Sequence, residues 1–325
     1  MLRNASLRLI AAVVTIVVTS AAVNAAHWAL VTVPMAPMRS AAAHSSEMET
    51  QYIMGTPVRV DSVTVDWAYA TGPDGYRGYL PLKALAETDS AGLCKWQQSQ
   101  RYIVVNPSGL QLRDSAGMLI SPLPFGAIVG AADSRGAVSL PDGRTGYTEA
   151  EDIVPLETLA DRSVMTPDMV VDMALAFTGV PYLWGGTTAD ALDCSGLTQL
   201  SYKMAGLMLP RNASAQARIG KDIALDVDSL RPADLIFMGS DRMARRVTHV
   251  GIYLGNGMVI HSSGYVHVNS LYPASPQYIN RVLLGARRYF DGIAGPLPDA
   301  GVCILSHPWY FAQGGTLALP RLLIQ

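Results

Sequence analysis

The chain has few cysteines and no clustered metal-ligand spacing. Its 325 residues include three cysteines, Cys94, Cys194 and Cys303. No CxxC or clustered His/Cys spacing of the kind that binds zinc is present. So few cysteines exclude a disulfide scaffold for a domain of this size, and an odd number leaves at least one thiol free. We therefore expect neither a metal nor a cofactor, and the sequence leaves a Cys94–Cys303 pair open.

The sequence also lacks a strong excess of charge of either sign. Lys and Arg total 24 against 26 Asp and Glu, which gives a formal net charge of −2. Nothing in this balance favours a nucleic acid or an anionic membrane surface as partner. Half of the residues are hydrophobic, with 29 Gly and 20 Pro. This composition is typical of a packed, turn-rich protein of two or three domains.

The apolar run near the N-terminus is too short for an ordinary membrane-spanning helix. Arg3 and Arg8 precede an apolar stretch at residues 9–18, and Val23-Asn24-Ala25 fits a signal-peptidase site. This pattern predicts a secretory signal peptide at residues 1–25, with an uncleaved anchor as the alternative. We therefore expect an exported protein, periplasmic or extracellular.

Two β-rich units are predicted after this segment, at residues 27–92 and 98–157. Short strand-like stretches alternate with turns in both, without helical periodicity. Pro73-Asp74-Gly75 followed by Gly78-Tyr79 in the first unit is echoed by Pro141-Asp142-Gly143 and Gly146-Tyr147 in the second. This internal repeat favours two small β-barrels.

An α+β unit is predicted at residues 163–290. Thr166-Pro167 offers an N-cap and a proline at the first turn of one helix, and apolar spacing predicts a second helix from Cys194 to about Ala205. Strands are predicted at 235–238, 247–254 and 258–261. Helices followed by sheet indicate an α+β fold. The tail at 291–325 is apolar and rich in Gly and Pro, and its pattern indicates no function.

Cys194 lies where a glycine-rich loop turns into a predicted helix. The unpaired N–H groups and the helix dipole there would lower the pKa of the thiol and raise its reactivity. Ser195 and Gly196 are small and leave the sulfur approachable. The alternative is a buried structural cysteine.

Two histidines lie on either side of a Gly255-Asn256-Gly257 turn. A three-residue loop or an equivalent bulge places His249 and His261 on the same face of the hairpin, whereas a strict two-residue turn places them on opposite faces. In the first case His249 would relay the proton of Cys194 and His261 would orient His249. The alternative is two unrelated surface histidines.

At this point the sequence resembles the NlpC-type cell-wall cysteine peptidases. The resemblance covers about residues 165–290 and rests on four blocks in the family's order: Pro181-Tyr182-Leu183-Trp184-Gly185-Gly186, Asp193-Cys194-Ser195-Gly196, Thr248-His249-Val250-Gly251-Ile252-Tyr253 and Ile260-His261-Ser262. It implies a papain-like α+β core preceded by two SH3-like barrels.

The resemblance also implies further site residues. Tyr182 would lie near the developing oxyanion, Asp193 and Ser195 would contact the substrate peptide, and Trp184 would shape the pocket. Core packing is the alternative for the two aromatic residues.

In dipeptidyl-type relatives, an acidic residue and a tyrosine of the first SH3-like domain hold the substrate's ammonium. Glu47 is the acidic candidate here, with a solvated loop carboxylate as its alternative, and Tyr76 or Tyr79 is the aromatic candidate. Asn212 and Ser214 follow Pro210-Arg211 where relatives commonly have an Asp-Ser pair, so recognition of the amine end is expected to differ.

We therefore expect an exported, monomeric cysteine endopeptidase acting on peptidoglycan-derived peptides. It would hydrolyse the γ-D-glutamyl-L-diamino-acid bond of L-Ala-γ-D-Glu-diamino-acid peptides through an acyl-enzyme. The alternatives are an amidase or acyl transferase on the same core, and a wall-binding protein without activity.

Overall fold

A computed structural model describes residues 27–133, 136–159, 166–240, 246–290 and 301–312. The predicted signal peptide lies outside the described residues, as does the tail apart from 301–312. No helix within the described ranges is long and apolar enough to cross a membrane.

The first unit is an antiparallel sheet within residues 27–88. Its strands are β1 (His27–Val31), β2 (Met35–Arg39), β3 (Met48–Ile53), β4 (Pro57–Val63), β5 (Trp67–Thr71), β6 (Arg77–Pro81) and β7 (Leu85–Thr88). Their order across the sheet is β3-β2-β6-β5-β4-β1-β7. Ala29 and Val31 of β1 face the core of this unit, while Trp28 and Leu30 alternate with them and pack in a second cluster. Both faces of β1 are therefore buried.

Helix α1 (Ser90–Gln98) joins the first unit to the second. Asp89 caps it by accepting a hydrogen bond from the Gly92 N–H at 2.7 Å, as short polar N-cap residues do. The sequence pattern did not predict this helix, because its hydrophobic residues do not follow a clear helical period.

The second unit is also built of strands, within residues 101–155 apart from 134–135. They are β8 (Arg101–Val104), β9 (Leu110–Arg113), β10 (Leu119–Leu123), β11 (Ile128–Ala131), β12 (Val138–Ser139), β13 (Thr145–Gly146) and β14 (Ile153–Pro155), and helix α2 (Leu156–Leu159) follows. β9 pairs with β10, and the others form a sheet in the order β13-β12-β11-β8-β14. The predicted Pro141-Asp142-Gly143 turn joins β12 to β13.

The third unit places helices before its main sheet, as predicted. Its helices are α3 (Pro167–Ala176), α4 (Cys194–Met204) and α5 (Ala213–Gln216). Its strands are β15 (Thr187–Thr188), β16 (Ala191–Leu192), β17 (Leu207–Met208), β18 (Lys221–Ile223), β19 (Leu235–Gly239), β20 (His249–Gly255), β21 (Met258–Ser263), β22 (Tyr265–Ser270) and β23 (Val282–Arg288). The main sheet has the order β18-β23-β19-β20-β21-β22, and α4 packs on β20 and β21. Thr166 caps α3 by accepting a hydrogen bond from the Met169 N–H.

One hydrophobic core runs through the second and third units. Phe125 of the second unit packs edge-on against Phe177, at the end of α3, with ring centroids 5.6 Å apart. Ile53 and Met54 of the first unit belong to the same core. Because interiors are close-packed, this shared core holds the three units in one arrangement.

Two hydrogen bonds connect the first unit to the loop that precedes α4. The Thr187 N–H donates to the side-chain oxygen of Gln51 at 3.0 Å, and the Thr187 hydroxyl donates to the Gln51 carbonyl at 2.8 Å. Both residues are buried. Strand β3 is thereby held beside the start of α4.

The described part of the tail contacts all three units. Strand β24 (Val302–Cys303) pairs with β17 of the third unit. The His307 ring is hydrogen-bonded to the Pro73 carbonyl of the first unit at 2.9 Å. Arg101 of the second unit donates to the Tyr310 carbonyl at 2.6 Å. The sequence indicated no role for this segment, which bridges the units.

Candidate active site

Cys194 is the first residue of α4, at the position that the sequence predicted. Asp193 caps the helix by accepting a hydrogen bond from the Gly196 N–H at 2.7 Å. Burial raises the pKa of the Cys194 thiol to about 11, the Asp193 carboxylate adds to this, and hydrogen bonds from the Val250 and Ser195 backbones oppose it. The expected lowering of this pKa is therefore wrong for the free enzyme, because removing a thiolate from water costs more than these N–H groups return.

The turn between β20 and β21 combines two features that the sequence treated as alternatives. Asn256-Gly257 forms a two-residue turn with φ angles of 52° and 72°. An additional residue, Leu254, bulges between the paired positions, so that Ile252 lies opposite Ile260. A bulge shifts the register by one residue and so changes which side chains share a face. The structure therefore has the equivalent bulge that keeps both histidines on one side.

The two histidines are joined by hydrogen bonds in a series that ends at Asn269. His249 Nε2 lies 2.8 Å from His261 Nδ1, and His261 Nε2 lies 2.7 Å from Asn269 Oδ1. The Asn269 amide nitrogen donates to the Gln277 carbonyl at 2.7 Å, which turns its oxygen towards His261. The sequence missed Asn269, although alternation along β22 places it on the same face as His267, opposite His261.

This series of hydrogen bonds determines the tautomer of each histidine ring. Asn269 Oδ1 can only accept, so His261 carries its proton on Nε2 and accepts at Nδ1. His249 must then carry its proton on Nε2, which leaves His249 Nδ1 as a free base. Burial lowers the pKa of His249 to about 3 and that of His261 to about 4. Both rings are therefore neutral at neutral pH.

Asp193 and Ser195 were expected to contact substrate, but their side chains are engaged by Arg211. The Arg211 guanidinium forms a buried ion pair with Asp193 and donates to the Ser195 hydroxyl at 2.8 Å. It also donates to Thr50 of β3 at 2.9 Å. A buried carboxylate requires such a partner. Arg211 was not predicted as a site residue, and its contacts bring Asp193, Ser195 and the first unit together at the start of α4.

Tyr182 and Trp184 line the cleft that contains Cys194. Trp184 is 60% exposed, so core packing is excluded for it. Burial, with a contribution from Cys194, raises the pKa of Tyr182 to about 12. The phenol is therefore protonated at neutral pH and can donate a hydrogen bond into the cleft.

The cleft has a volume of about 890 Å³ and extends from the first unit to the main sheet. Glu49 and Tyr76 line it at the first unit, and the Tyr76 hydroxyl donates to the Glu49 carboxylate at 2.8 Å. Burial and this hydrogen bond raise the pKa of Tyr76 to about 12. Asn212 and Ser214 also line the cleft.

The candidate Glu47 is corrected by the structure. Glu47 is exposed and does not line the cleft, whereas Glu49 does. Strand β3 pairs with β2 through a bulge, in which Met38 lies opposite Thr50 and Arg39 opposite Met48. Glu49 is the additional residue of this bulge, a position that redirects a side chain and that the sequence does not reveal.

Of the two tyrosine candidates, Tyr79 does not line the cleft. It packs against Tyr69 with ring centroids 5.0 Å apart.

Among the described residues, no group of three or more His, Cys, Asp or Glu is arranged to hold a metal ion. Cys94 forms no disulfide, so the Cys94–Cys303 pair that the sequence left open is absent.

Comparisons with known proteins agree with this geometry. The NlpC/P60 family model matches residues 179–288, which contain Cys194, His249 and His261. The chain belongs to the NlpC/P60 family. A model of the bacterial dipeptidyl-peptidase SH3 domain matches residues 38–85, which contain Glu49 and Tyr76.

One named relative and one solved structure each cover more than three quarters of the chain, and a second relative covers about half of it. A gamma-D-glutamyl-L-lysine dipeptidyl-peptidase of Bacillus cereus is 28% identical over 76% of this chain and 76% of that protein. A probable endopeptidase of Corynebacterium glutamicum is 34% identical over 49% of this chain and 72% of that protein. The crystal structure of an NlpC/P60 protein from Bacillus cereus, 24% identical, superimposes with a TM-score of 0.70 and covers 81% of this chain and 100% of that one.

The NlpC/P60 assignment, the matched relatives and the joined histidines beside Cys194 establish the chain as a cysteine peptidase. The SH3-like nature predicted for the first unit is confirmed. That of the second unit, and the papain-like description of the core, stay predictions.

Proposed function

We propose that this peptidase hydrolyses the γ-D-glutamyl-L-diamino-acid bond of peptidoglycan peptides that begin with a free L-alanine. The observation that carries the proposal is the pair of Glu49 and Tyr76, which lines the same cleft as Cys194. A carboxylate at the end of a cleft pairs well with a substrate ammonium. The relatives named as gamma-D-glutamyl-L-lysine dipeptidyl-peptidases support this choice of bond.

In the proposed acylation step, the Cys194 sulfur attacks the carbonyl carbon of the γ-glutamyl amide. His249 Nδ1 takes the thiol proton as the S–C bond forms, so a neutral thiol beside a neutral imidazole suffices as the resting state. The negative charge on the carbonyl oxygen is stabilised by the Cys194 backbone N–H and the Tyr182 hydroxyl. His249 then protonates the leaving amine, the C–N bond breaks, and a thioester remains.

In the deacylation step, water attacks the thioester carbon while His249 Nδ1 takes a proton from it. Collapse of the second tetrahedral species breaks the C–S bond and returns the proton to sulfur. The dipeptide leaves with a new carboxylate. Throughout both steps, His261 and Asn269 hold the ring of His249 in the reactive tautomer.

We also propose that the protein is exported and acts as a monomer. The charged start, the short apolar run and the cleavage pattern at residues 1–25 support export. Peptidoglycan lies outside the cytoplasm, so the proposed substrate and the proposed location agree.

The test is mass spectrometry of L-Ala-γ-D-Glu-diaminopimelate incubated with the purified protein, beside its N-acetylated form. We expect release of L-Ala-γ-D-Glu from the free peptide and none with Cys194→Ala. Glu49→Gln should lower kcat/KM for the free peptide about 10- to 100-fold, because a hydrogen bond to a charged group contributes about 1.5–3 kcal/mol. Glu47→Gln is the matched control and should leave the rate unchanged.

Two results would contradict the proposal. Equal cleavage of the free and acetylated peptides would show that the amine is not recognised. No cleavage of either peptide would exclude this bond as the substrate bond and favour an amidase, an acyl transferase or a binding role.

A further inference from the structure

The charges that line the cleft are unevenly distributed. Glu49 and Tyr76 lie at the first unit, whereas Arg246 and Arg281 line the cleft beside the strands that carry the histidines. Arg218, two residues after α5, also lines the cleft. Neither Arg246 nor Arg281 forms an ion pair with a carboxylate among the described residues. Arg211 differs from them, because it is buried and paired with Asp193. We call Arg246 and Arg281 the arginine pair.

A hydrogen bond places Arg281, and its position in the chain places Arg246, on the histidine side of Cys194. Arg281 donates to the hydroxyl of Ser263, the last residue of β21, at 3.3 Å. Its charge contributes to lowering the pKa of His249 and His261. The pKa of Tyr76, at the first unit, depends instead on burial and on Glu49, Asn212 and Arg211. Arg246 is close in the chain to His249.

The proposed substrate indicates which of its parts lies beside the arginine pair. If the alanine ammonium lies at Glu49 and the γ-glutamyl carbonyl lies at Cys194, the diamino acid extends past Cys194 on the histidine side. An arginine guanidinium binds carboxylates through paired N–H groups and repels an ammonium. Lysine ends in an ammonium alone, whereas diaminopimelate carries a second carboxylate at its far end.

We infer, on the basis of the proposed function, that the arginine pair binds the distal carboxylate of the diamino acid and selects diaminopimelate over lysine. Arg246 and Arg281 are then specificity residues on the leaving-group side of the cleft. This preference differs from the names of two relatives, which are called gamma-D-glutamyl-L-lysine dipeptidyl-peptidases.

The experiment compares kcat/KM for four peptides. Three of them are L-Ala-γ-D-Glu followed by meso-diaminopimelate, by its distal carboxamide, or by L-lysine. The fourth has D-isoglutamine in place of D-glutamate, before unmodified diaminopimelate. We expect the distal carboxamide and the lysine peptide to be cleaved at least about 10-fold more slowly, since a tenfold ratio corresponds to about 1.4 kcal/mol, the order of one charge-assisted hydrogen bond.

Variants assign the effect to the arginine pair. Arg281→Gln, alone and together with Arg246→Gln, should lower kcat/KM for the diaminopimelate peptide and bring the ratio of kcat/KM between the diaminopimelate and lysine peptides towards one. Arg287→Gln removes the same charge from β23 outside the cleft and should keep the full preference. Melting temperatures of the variants show whether they fold equally well.

Three outcomes would overturn the inference. Similar kcat/KM for the diaminopimelate and lysine peptides would reject it while leaving the proposed function intact. An Arg281-dependent loss with the isoglutamine peptide, and none with the distal carboxamide, would assign the arginine pair to the glutamate carboxylate instead. No cleavage of any peptide would reject the proposed function itself.

Discussion

At the scale of single residues, the site depends on the direction of each hydrogen bond. His249 is a base at Nδ1 because His261 accepts from its Nε2, and His261 accepts because Asn269 accepts from it in turn. The Gln277 carbonyl holds the Asn269 amide in the required orientation. Asn269, which does not line the cleft, thus determines the tautomer of His249, which does.

Substitution of Asn269 tests whether this series of hydrogen bonds orients His249. Asn269→Leu removes the acceptor, so His261 can adopt the other tautomer and kcat should decrease about 10- to 100-fold, the range seen for lost orienting partners. KM should change little, because Asn269 does not line the cleft. Asn269→Asp keeps an acceptor oxygen and should retain more activity than the leucine variant. Equal loss of kcat in both variants would contradict an orienting role.

At the scale of elements, the hairpin of β20 and β21 positions both histidines through one tight turn. Gly257 has a φ of +72°, and a Cβ there would lie 2.3 Å from the ring of Tyr272. Glycine therefore meets two requirements at this position: the left-handed backbone and the close approach of the ring.

Gly257→Ala should destabilise the protein more than Gly117→Ala. Gly117 also has a positive φ, of +82°, but a Cβ there would meet nothing within 4 Å. The control should cost about 1 kcal/mol of unfolding free energy for backbone strain, and Gly257→Ala about 1 kcal/mol more, because the half-exposed ring of Tyr272 must shift. Urea unfolding measures both values. Equal destabilisation would mean that Tyr272 moves away without cost.

At the scale of the whole molecule, one contact between the units is made by a buried histidine that is uncharged at neutral pH. His307, in the tail, is hydrogen-bonded to Pro73 of the first unit, and the Trp309 N–H donates to its other ring nitrogen. Burial lowers the pKa of His307 to about 4. Burial also lowers the pKa of His249 and that of His261.

This direction predicts an acid-sensitive fold. The unfolded chain protonates histidine near pH 6.5, whereas the folded chain does not until about pH 4 or below. Between these values the unfolded state binds more protons, so the unfolding free energy decreases as the pH falls from 6.5. Each of the three histidines contributes up to about 1.4 kcal/mol per pH unit.

His307→Gln should reduce this acid sensitivity. The glutamine amide can donate to the Pro73 carbonyl and does not titrate, so one of the three contributions is lost. Urea unfolding at pH 7, 6 and 5 should show a shallower decrease than in the wild-type protein. His44→Gln changes an exposed histidine and serves as control. An unchanged slope in the His307 variant would contradict the assignment.

Local chemistry in the sequence was sufficient to predict much of the third unit and the positions of Cys194 and both histidines in it. A cap and a proline predicted the start of α3, and a glycine-rich loop before an apolar period predicted α4 with Cys194 at its start. Two strands around a Gly-Asn-Gly turn predicted the histidine hairpin. These patterns succeed because caps, turns and alternation depend on residues within a few positions of one another.

The remaining features depend on contacts between distant parts of the chain. A bulge in β3 selects Glu49 over Glu47, Arg211 binds both Asp193 and Thr50, and Asn269 meets His261 across two strands. The tail at 301–312 bridges the three units, a role that its sequence does not reveal. The sequence by itself therefore determined the family, the start of α4 at Cys194 and the hairpin that carries both histidines. Only the tertiary structure decided which polar groups surround them, because bulges and packing between units set those distances.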